Sequence, residues 1–161
     1  MKNYKVITLP GDGIGPEVVK AAMDVLKLLS DIYGLNIDIK SHLIGGVSYE
    51  AHQKPITSKV IEDCLSADAV FLGAVGGPLW DDLPHHLKPE KALLKLRKEL
   101  GLFSNLRPAK VYDSLLDASS LKADILKGAD LIVVRELTGG IYFGEPRGQD
   151  SEKGWNTLIY K

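Results

Sequence analysis

The sequence predicts an α/β protein. Short apolar runs alternate with stretches of helical periodicity, and glycine or proline marks most of the junctions between them. No internal repeat or low-complexity tract interrupts that alternation. With 161 residues, 45% of them hydrophobic and 25% charged, the chain can bury a real core without disulfides or a structural metal.

Each element has its own signal. Residues 4–9 (YKVITL) read as a strand, followed by a glycine-rich turn at 10–15 (PGDGIG). Pro16 suits a first helical position, where a missing N–H costs nothing. Val18, Val19, Ala22, Val25, Leu26 and Leu29 then recur at helical spacing to about Tyr33, and Gly34 is a fitting stop. Residues 36–40 (NIDIK) alternate like a strand. Thr57 is placed to cap a helix over 58–65. The apolar run 68–74 (DAVFLGA) predicts a fully buried strand of the parallel kind. Residues 76–89 form a long loop with two Gly and three Pro, a length often tied to function. Pro89 opens a helix to about Leu100, which Gly101 closes. Strands are expected at 102–107 and 130–135, with a helix over 121–127 between them. A short strand is expected at 141–144, and 155–160 as a strand pairing back in a hairpin. The chain stops in that apolar stretch with no cap or polar tail, an ending expected of an incomplete chain.

Charge and cysteine usage narrow the function classes. Lys and Arg number 20 against 21 Asp and Glu, so no broad basic field exists to hold a nucleic-acid backbone. No apolar run reaches the ~18 residues that a membrane span needs. The opening MKNYKVITLPGDG lacks the features of a secretory signal. The single cysteine, Cys64, permits no internal disulfide and packs as a small hydrophobe, so a reducing cytoplasmic setting is expected.

Four groups carry possible chemistry. The GDGIG turn at 11–15 lies between strand and helix, where backbone N–H groups can approach a phosphate. Its spacing is GxGxG, not the dinucleotide GxGxxG, and it has no P-loop lysine; a plain tight turn and a ligand-facing turn both remain open. On the helix after Pro89, Glu90, Leu94 and Arg97 share one face with Leu93 beside them. That stripe suits a ligand apolar at one end and anionic at the other. It is equally an amphipathic helix with Leu93, Leu96 and Leu100 in the core. Arg107 and Arg135 each end an apolar strand, and ligands bind at the carboxyl ends of parallel strands. With Arg97 they can form a dicarboxylate clamp, because guanidinium grips carboxylate in bidentate fashion. Taken singly, each is an ordinary surface charge. Tyr142, between Ile141 and Phe143 after a glycine pair, is a possible proton donor or a core-edge residue. His85 and His86 are adjacent in a Pro-rich loop and are read as exposed. No metal-binding spacing is present.

Taken together, LPGDGIGPEV, GAVGGPLWDDLP, LRKELGLFSNLRPAKVY and VRELTGGIYFGEPRG resemble the isopropylmalate branch of the β-decarboxylating dehydrogenases. The resemblance runs from residue 4 to about 160. It implies an isopropylmalate dehydrogenase-like fold of two α/β domains that is not a Rossmann fold. It implies NAD-dependent oxidative decarboxylation of 3-isopropylmalate to 4-methyl-2-oxopentanoate, in leucine biosynthesis, with Mg or Mn. By motif, Arg97, Arg107 and Arg135 would hold the carboxylates of the hydroxy-dicarboxylate substrate. Leu93 and Leu94 would contact the isopropyl group, and Tyr142 would be the acid that protonates the enolate. Ile14, Gly77 and Glu90 would line the NAD site. Residues 1–102 would begin the cofactor-side domain and 103–161 the second domain, with a hairpin arm at about 141–161 used in homodimer contacts. Family members are longer, so the lysine that works with the tyrosine, the metal aspartates and the adenosine-holding segment would lie beyond residue 161. A homoisocitrate- or tartrate-type dehydrogenase, or a non-catalytic module binding a carboxylate or a partner chain, is the alternative.

Overall fold

Strand β1 (Asn3–Gly11) is the apolar run that begins the chain, and it organises everything around it. The structure, a computed structural model, describes residues 2–160. The chain divides into two units, Met1–Leu100 and Gly101–Lys161.

In the first unit β1 lies between β2 (Asn36–Ser41) and β3 (Ala69–Ala74), all parallel, with Val6 opposite Ile39 on one side and Ala69 on the other. Between the strands come α1 (Gly15–Tyr33), α2 (Gly46–His52) and α3 (Ser58–Leu65), and α4 (Glu90–Glu99) follows β3. A central strand covered on both faces loses its alternation, and Val6 to Leu9 are all buried. Ile7 and Leu9 join Ile44, Ile56, Val60, Ile61, Cys64, Ala92 and Leu96 in one core. Thr57 Oγ1 accepts the Val60 N–H at 3.4 Å and caps α3. Gly34 ends α1 in the left-handed conformation.

Two expectations for this unit change, and one helix is added. β3 is parallel as expected but not fully buried: among the described residues it pairs with β1 alone, and Phe71 is exposed. In α1 it is Val19 that is buried, with Ala22, Met23, Leu26 and Ser30 half-buried, while Val18, Val25 and Leu29 are exposed. A three-stranded sheet is too narrow to cover the whole apolar side of a 19-residue helix. Helix α2 has no sequence expectation behind it, because a seven-residue helix opened by two glycines carries too little periodicity to show.

One charged cluster ties β2 to α3. Asp63, buried on α3, accepts from Lys40 Nζ at 2.7 Å and from Lys59 Nζ at 2.9 Å. His42 Nε2 sits 2.9 Å from the same carboxylate without the alignment of a hydrogen bond. The Lys40 and Lys59 hydrogen bonds hold the Asp63 carboxyl below the usual carboxylate range. A carboxyl depressed in the folded state stabilises it above the unfolded pKa near 4 and ceases to do so as pH falls further. The melting temperature of the chain is therefore expected to drop more steeply than that of Asp63→Asn as pH is lowered from about 5 to about 3. Parallel pH profiles would contradict this.

The second unit is built on an antiparallel pair, β4 (Ser104–Lys110) with β5 (Asp130–Glu136). They are joined through a 3₁₀ segment (Asp113–Ala118) and a single turn, α5 (Ala123–Leu126), where a helix over 121–127 was expected. β4 runs on through Pro108, because a strand with a partner on only one side tolerates a proline. Residues 141–144 are not a strand. Gly140–Phe143 forms a helical turn, α6, closed by Gly144 N–H to Gly140 C=O at 2.7 Å. Gly140 has φ +56, and a Cβ there would lie 2.5 Å from the Tyr160 ring, so only glycine allows the approach. The hairpin exists but is short: β6 (Gly148–Gln149) pairs with β7 (Gly154–Trp155), and 156–160 take no strand.

Candidate functional site

In the first unit the groups expected to face a ligand converge on Asp12. Its carboxylate is buried, 1% exposed. It accepts the backbone N–H of Gly46 at 2.8 Å, of Val47 at 2.9 Å and of Gly76 at 2.8 Å. One side chain thus ties the 10–15 turn to the start of α2 and to the loop after β3. The glycines around it serve close packing: a Cβ on Gly11 would sit 1.9 Å from the Ala74 carbonyl oxygen, and one on Gly15 would sit 2.0 Å from that of Pro10. Gly13 and Ile14 are left facing outward, with nothing within 4 Å of a Cβ on Gly13 and with Ile14 exposed. The turn is tight, and its middle is exposed. Gly11 and Gly15 make it tight, and Gly13 and Ile14 make it available.

The 76–89 loop starts from the same knot. Its Trp80 ring covers the Gly46 backbone, where a Cβ would lie 2.1 Å from the ring. Glu90 opens α4 with its carboxylate over Gly76, 2.5 Å from where a Cβ would be. Gly77 is half-buried at the foot of the first 3₁₀ turn (Pro78–Trp80). Ile14 and Gly77 therefore lie on segments that Asp12 ties together, and the Glu90 carboxylate reaches the same loop at Gly76. His85 and His86 are exposed in a second 3₁₀ turn.

On α4 the core stripe is Ala92, Leu96 and Leu100. Leu93 does not belong to it. Leu93, Leu94 and Arg97 are half-buried on the other flank, and neither leucine packs into the core cluster. This is the arrangement that leaves two apolar side chains beside an arginine.

In the second unit the strand-end argument fails, because β4 and β5 are antiparallel and Arg107 lies mid-strand. Another geometry replaces it. Asn105 pairs with Arg135, and Arg107 with Val133. Residues two apart share a face, and so do cross-strand partners. Arg107 and Arg135 are therefore diagonal neighbours on one face. Arg107 Nε donates to Asn105 Oδ1 at 2.8 Å. Arg135 Nη2 donates to the Tyr142 hydroxyl. Arg147 Nη1 donates to the Tyr142 carbonyl at 3.0 Å. Glu136 Oε1 accepts from the Thr138 N–H and hydroxyl and from Gly139 N–H, which shapes the turn before Tyr142. The Thr138 hydroxyl holds the Glu136 carboxyl below its ordinary range. A hollow of about 360 Å³ beside this turn is lined by Thr138, Gly139, Phe143, Gly144, Glu145 and Ile159, none of which was an expected site residue.

The structure thus brings Ile14, Gly77 and Glu90 together in one unit, and Arg107, Arg135 and Tyr142 in the other. Arg97, Leu93 and Leu94 belong to the first unit. Sequence reasoning missed Asp12, Asn105, Glu136 and Arg147. An aspartate between two glycines was a usable signal for Asp12, since Asp side chains habitually accept nearby backbone N–H groups. Among the described residues no group of three His, Cys, Asp or Glu could hold a metal ion, and no helix is long and apolar enough to cross a membrane.

Comparison with known proteins bears on this geometry. The family model described as isocitrate/isopropylmalate dehydrogenase matches residues 5–161. A 3-isopropylmalate dehydrogenase of Chlorobium chlorochromatii is 62% identical over 159 residues, covering 99% of this chain and 45% of the relative. One from Aquifex aeolicus is 51% identical over 164 residues, with the same shares. The chain spans about half the length of the curated relatives it matches. Among solved structures, a β-decarboxylating dehydrogenase from Thermococcus kodakarensis in its apo form matches with TM-score 0.67 and 30% identity, over 98% of this chain and 41% of that one. Isocitrate dehydrogenase from Methylococcus capsulatus matches in fold, with TM-score 0.69, 22% identity, and coverage of 98% and 43%.

Proposed function

Because the chain belongs to the isocitrate/isopropylmalate dehydrogenase family, we propose that it carries the substrate clamp of an NAD-dependent 3-isopropylmalate dehydrogenase of leucine biosynthesis. The observation that carries this reading is the shared face of β4 and β5, where Arg107 and Arg135 lie as neighbours and Arg135 reaches Tyr142. Two guanidinium groups on one face match a dicarboxylate. A phenol beside them is in place to return a proton once a carboxylate has left as carbon dioxide. Within the first unit, Leu93 and Leu94 offer an apolar wall beside the Arg97 cation. Tyr142 gives its proton to C3 of the enolate, and the arginines hold the carboxylates in register throughout.

NAD, when bound, supplies the hydride acceptor for C2 of the substrate. The residues of the first unit fit it: Gly13 and Ile14 face open space beside the Asp12 knot, and the Glu90 carboxylate lies over Gly76 next to Gly77. Ile14 and Gly77 would border the dinucleotide, and Glu90 would meet a ribose hydroxyl. No ligand set for Mg or Mn is gathered among the described residues. The reading includes a cytoplasmic homodimer. A buried single thiol, Cys64, suits the reducing compartment. The exposed Trp155, Leu158, Ile159 and Tyr160 about the 148–155 hairpin suit a subunit contact.

The test is a chimera in which these 161 residues replace the matching segment of the Chlorobium chlorochromatii relative. It is expected to form NADH on 3-isopropylmalate and to prefer it over malates with a small or polar C3 group. Burying about three carbons against leucine is worth on the order of 2 kcal/mol. Leu94→Ser should therefore narrow the preference roughly 30-fold in relative kcat/KM. Equal loss on every substrate would place the leucine in the core instead and remove the apolar wall from the account.

A further inference from the structure

The phenol of Tyr142 is held by a group that can only give hydrogen bonds. Arg135 Nη2 donates to the Tyr142 hydroxyl oxygen, and the Arg135 guanidinium carbon lies 5.6 Å from the centre of the Tyr142 ring. Guanidinium carries five N–H donors and no acceptor. The Tyr142 hydroxyl hydrogen therefore has no acceptor at Arg135 and must point elsewhere. The backbone beneath the ring is pinned as well. Arg147 Nη1 donates to the Tyr142 carbonyl at 3.0 Å, Gly140 N–H to the Ile159 carbonyl at 2.9 Å, and Gly144 N–H to Gly140 at 2.7 Å. Arg147 is itself steadied by Glu145, whose Oε2 accepts its backbone N–H at 3.3 Å and whose Oε1 lies 3.9 Å from its Nε.

We propose that Arg135 is a positioning residue for Tyr142, one that fills the acceptor side of the phenol and directs its transferable proton away from itself, with Arg147 fixing the backbone of the same turn. Arg135 then does two things at once. One N–H is committed to Tyr142, and the remaining four can grip a carboxylate. A ligand carboxylate and the proton donor are thereby set relative to each other by a single rigid, planar group. The inference deepens the proposed reaction and rests on that reading for its catalytic meaning. The hydrogen-bond polarity can be read without turnover.

The experiment is Raman spectroscopy of the 161-residue chain, using the tyrosine ring doublet whose intensity ratio reports whether a phenol accepts or donates a hydrogen bond. The Tyr142 contribution is the spectrum of the chain minus that of Tyr142→Phe. An acceptor-type ratio is expected in the unsubstituted chain. It should persist in Arg135→Lys, which keeps a donor-only cation, and shift to the donor side in Arg135→Gln, whose amide oxygen can accept. Arg147→Met should keep the acceptor ratio but weaken the near-ultraviolet dichroism of the ring. A donor-type ratio in the unsubstituted chain would overturn the proposal, and so would a ratio that Arg135→Gln leaves unmoved. The unsubstituted spectrum decides even if a variant fails to fold. An inert chimera beside an acceptor-type spectrum would defeat the proposed reaction and leave the positioning role standing.

Discussion

Asp12→Ala is expected to destabilise the first unit by about 4 kcal/mol. The substitution strips the hydrogen-bond acceptor from three backbone N–H groups, those of Gly46, Val47 and Gly76. An unpaired buried donor costs about 1–3 kcal/mol, so the sum is on the order of 4 kcal/mol after partial rehydration. Whole domains are stable by only about 5–15 kcal/mol. Asp12→Asn keeps one carbonyl acceptor but turns an NH₂ toward the same donors, and should lose roughly half as much. Asp24→Ala is the control: its pair with Lys20 is exposed on α1 and should move stability by no more than about 0.5 kcal/mol. Urea unfolding followed by far-ultraviolet dichroism measures all three. A loss below about 1 kcal/mol for Asp12→Ala would show that the three segments do not depend on it.

The second large effect falls on activity and leaves stability alone. Removing a guanidinium that pairs with a substrate carboxylate costs about 2–5 kcal/mol in transition-state binding. In the chimera, Arg107→Ala and Arg135→Ala should each lower kcat/KM by roughly 30-fold to several thousand-fold. Arg107 is exposed on an edge strand with Asn105 as its polar partner, so its removal should leave the melting temperature nearly unchanged. Arg135→Ala should in addition impair the steps after hydride transfer more than hydride transfer itself, because it releases Tyr142. Steady-state kinetics with thermal melts separates the two effects. If stability falls in proportion while the remaining folded protein is fully active, the arginines hold the fold rather than the substrate.

Much of this was legible in the amino-acid sequence because the signals were local. Pro16 and Gly34 bound α1, Thr57 caps α3, and Pro89 with Gly101 flank α4. Residues 141–144 were misread for a physical reason: Ile141, Tyr142 and Phe143 are strand formers, yet the positive φ of Gly140 and its hydrogen bond to Ile159 turn the chain. The sense of the β4–β5 pairing depends on a connection of 19 residues between Lys110 and Asp130 that has little periodicity of its own, so parallel strands were expected where antiparallel ones stand. The site suffered the same fate in part. Arg107, Arg135 and Tyr142 were named from their motifs. What orders the turn at Tyr142 was hidden, because Glu136 and Arg147 act on backbone groups across that turn, and such pairings have no spacing to read.

These 161 residues, as proposed, carry the substrate clamp and proton donor of a 3-isopropylmalate dehydrogenase. NADH formation on 3-isopropylmalate by the chimera, with Mg or Mn present, measures whether they do. Turnover by the chimera is expected, and its loss in Arg107→Ala and in Tyr142→Phe. A folded chimera that is inert on 3-isopropylmalate, or one whose turnover survives both substitutions undiminished, would contradict it.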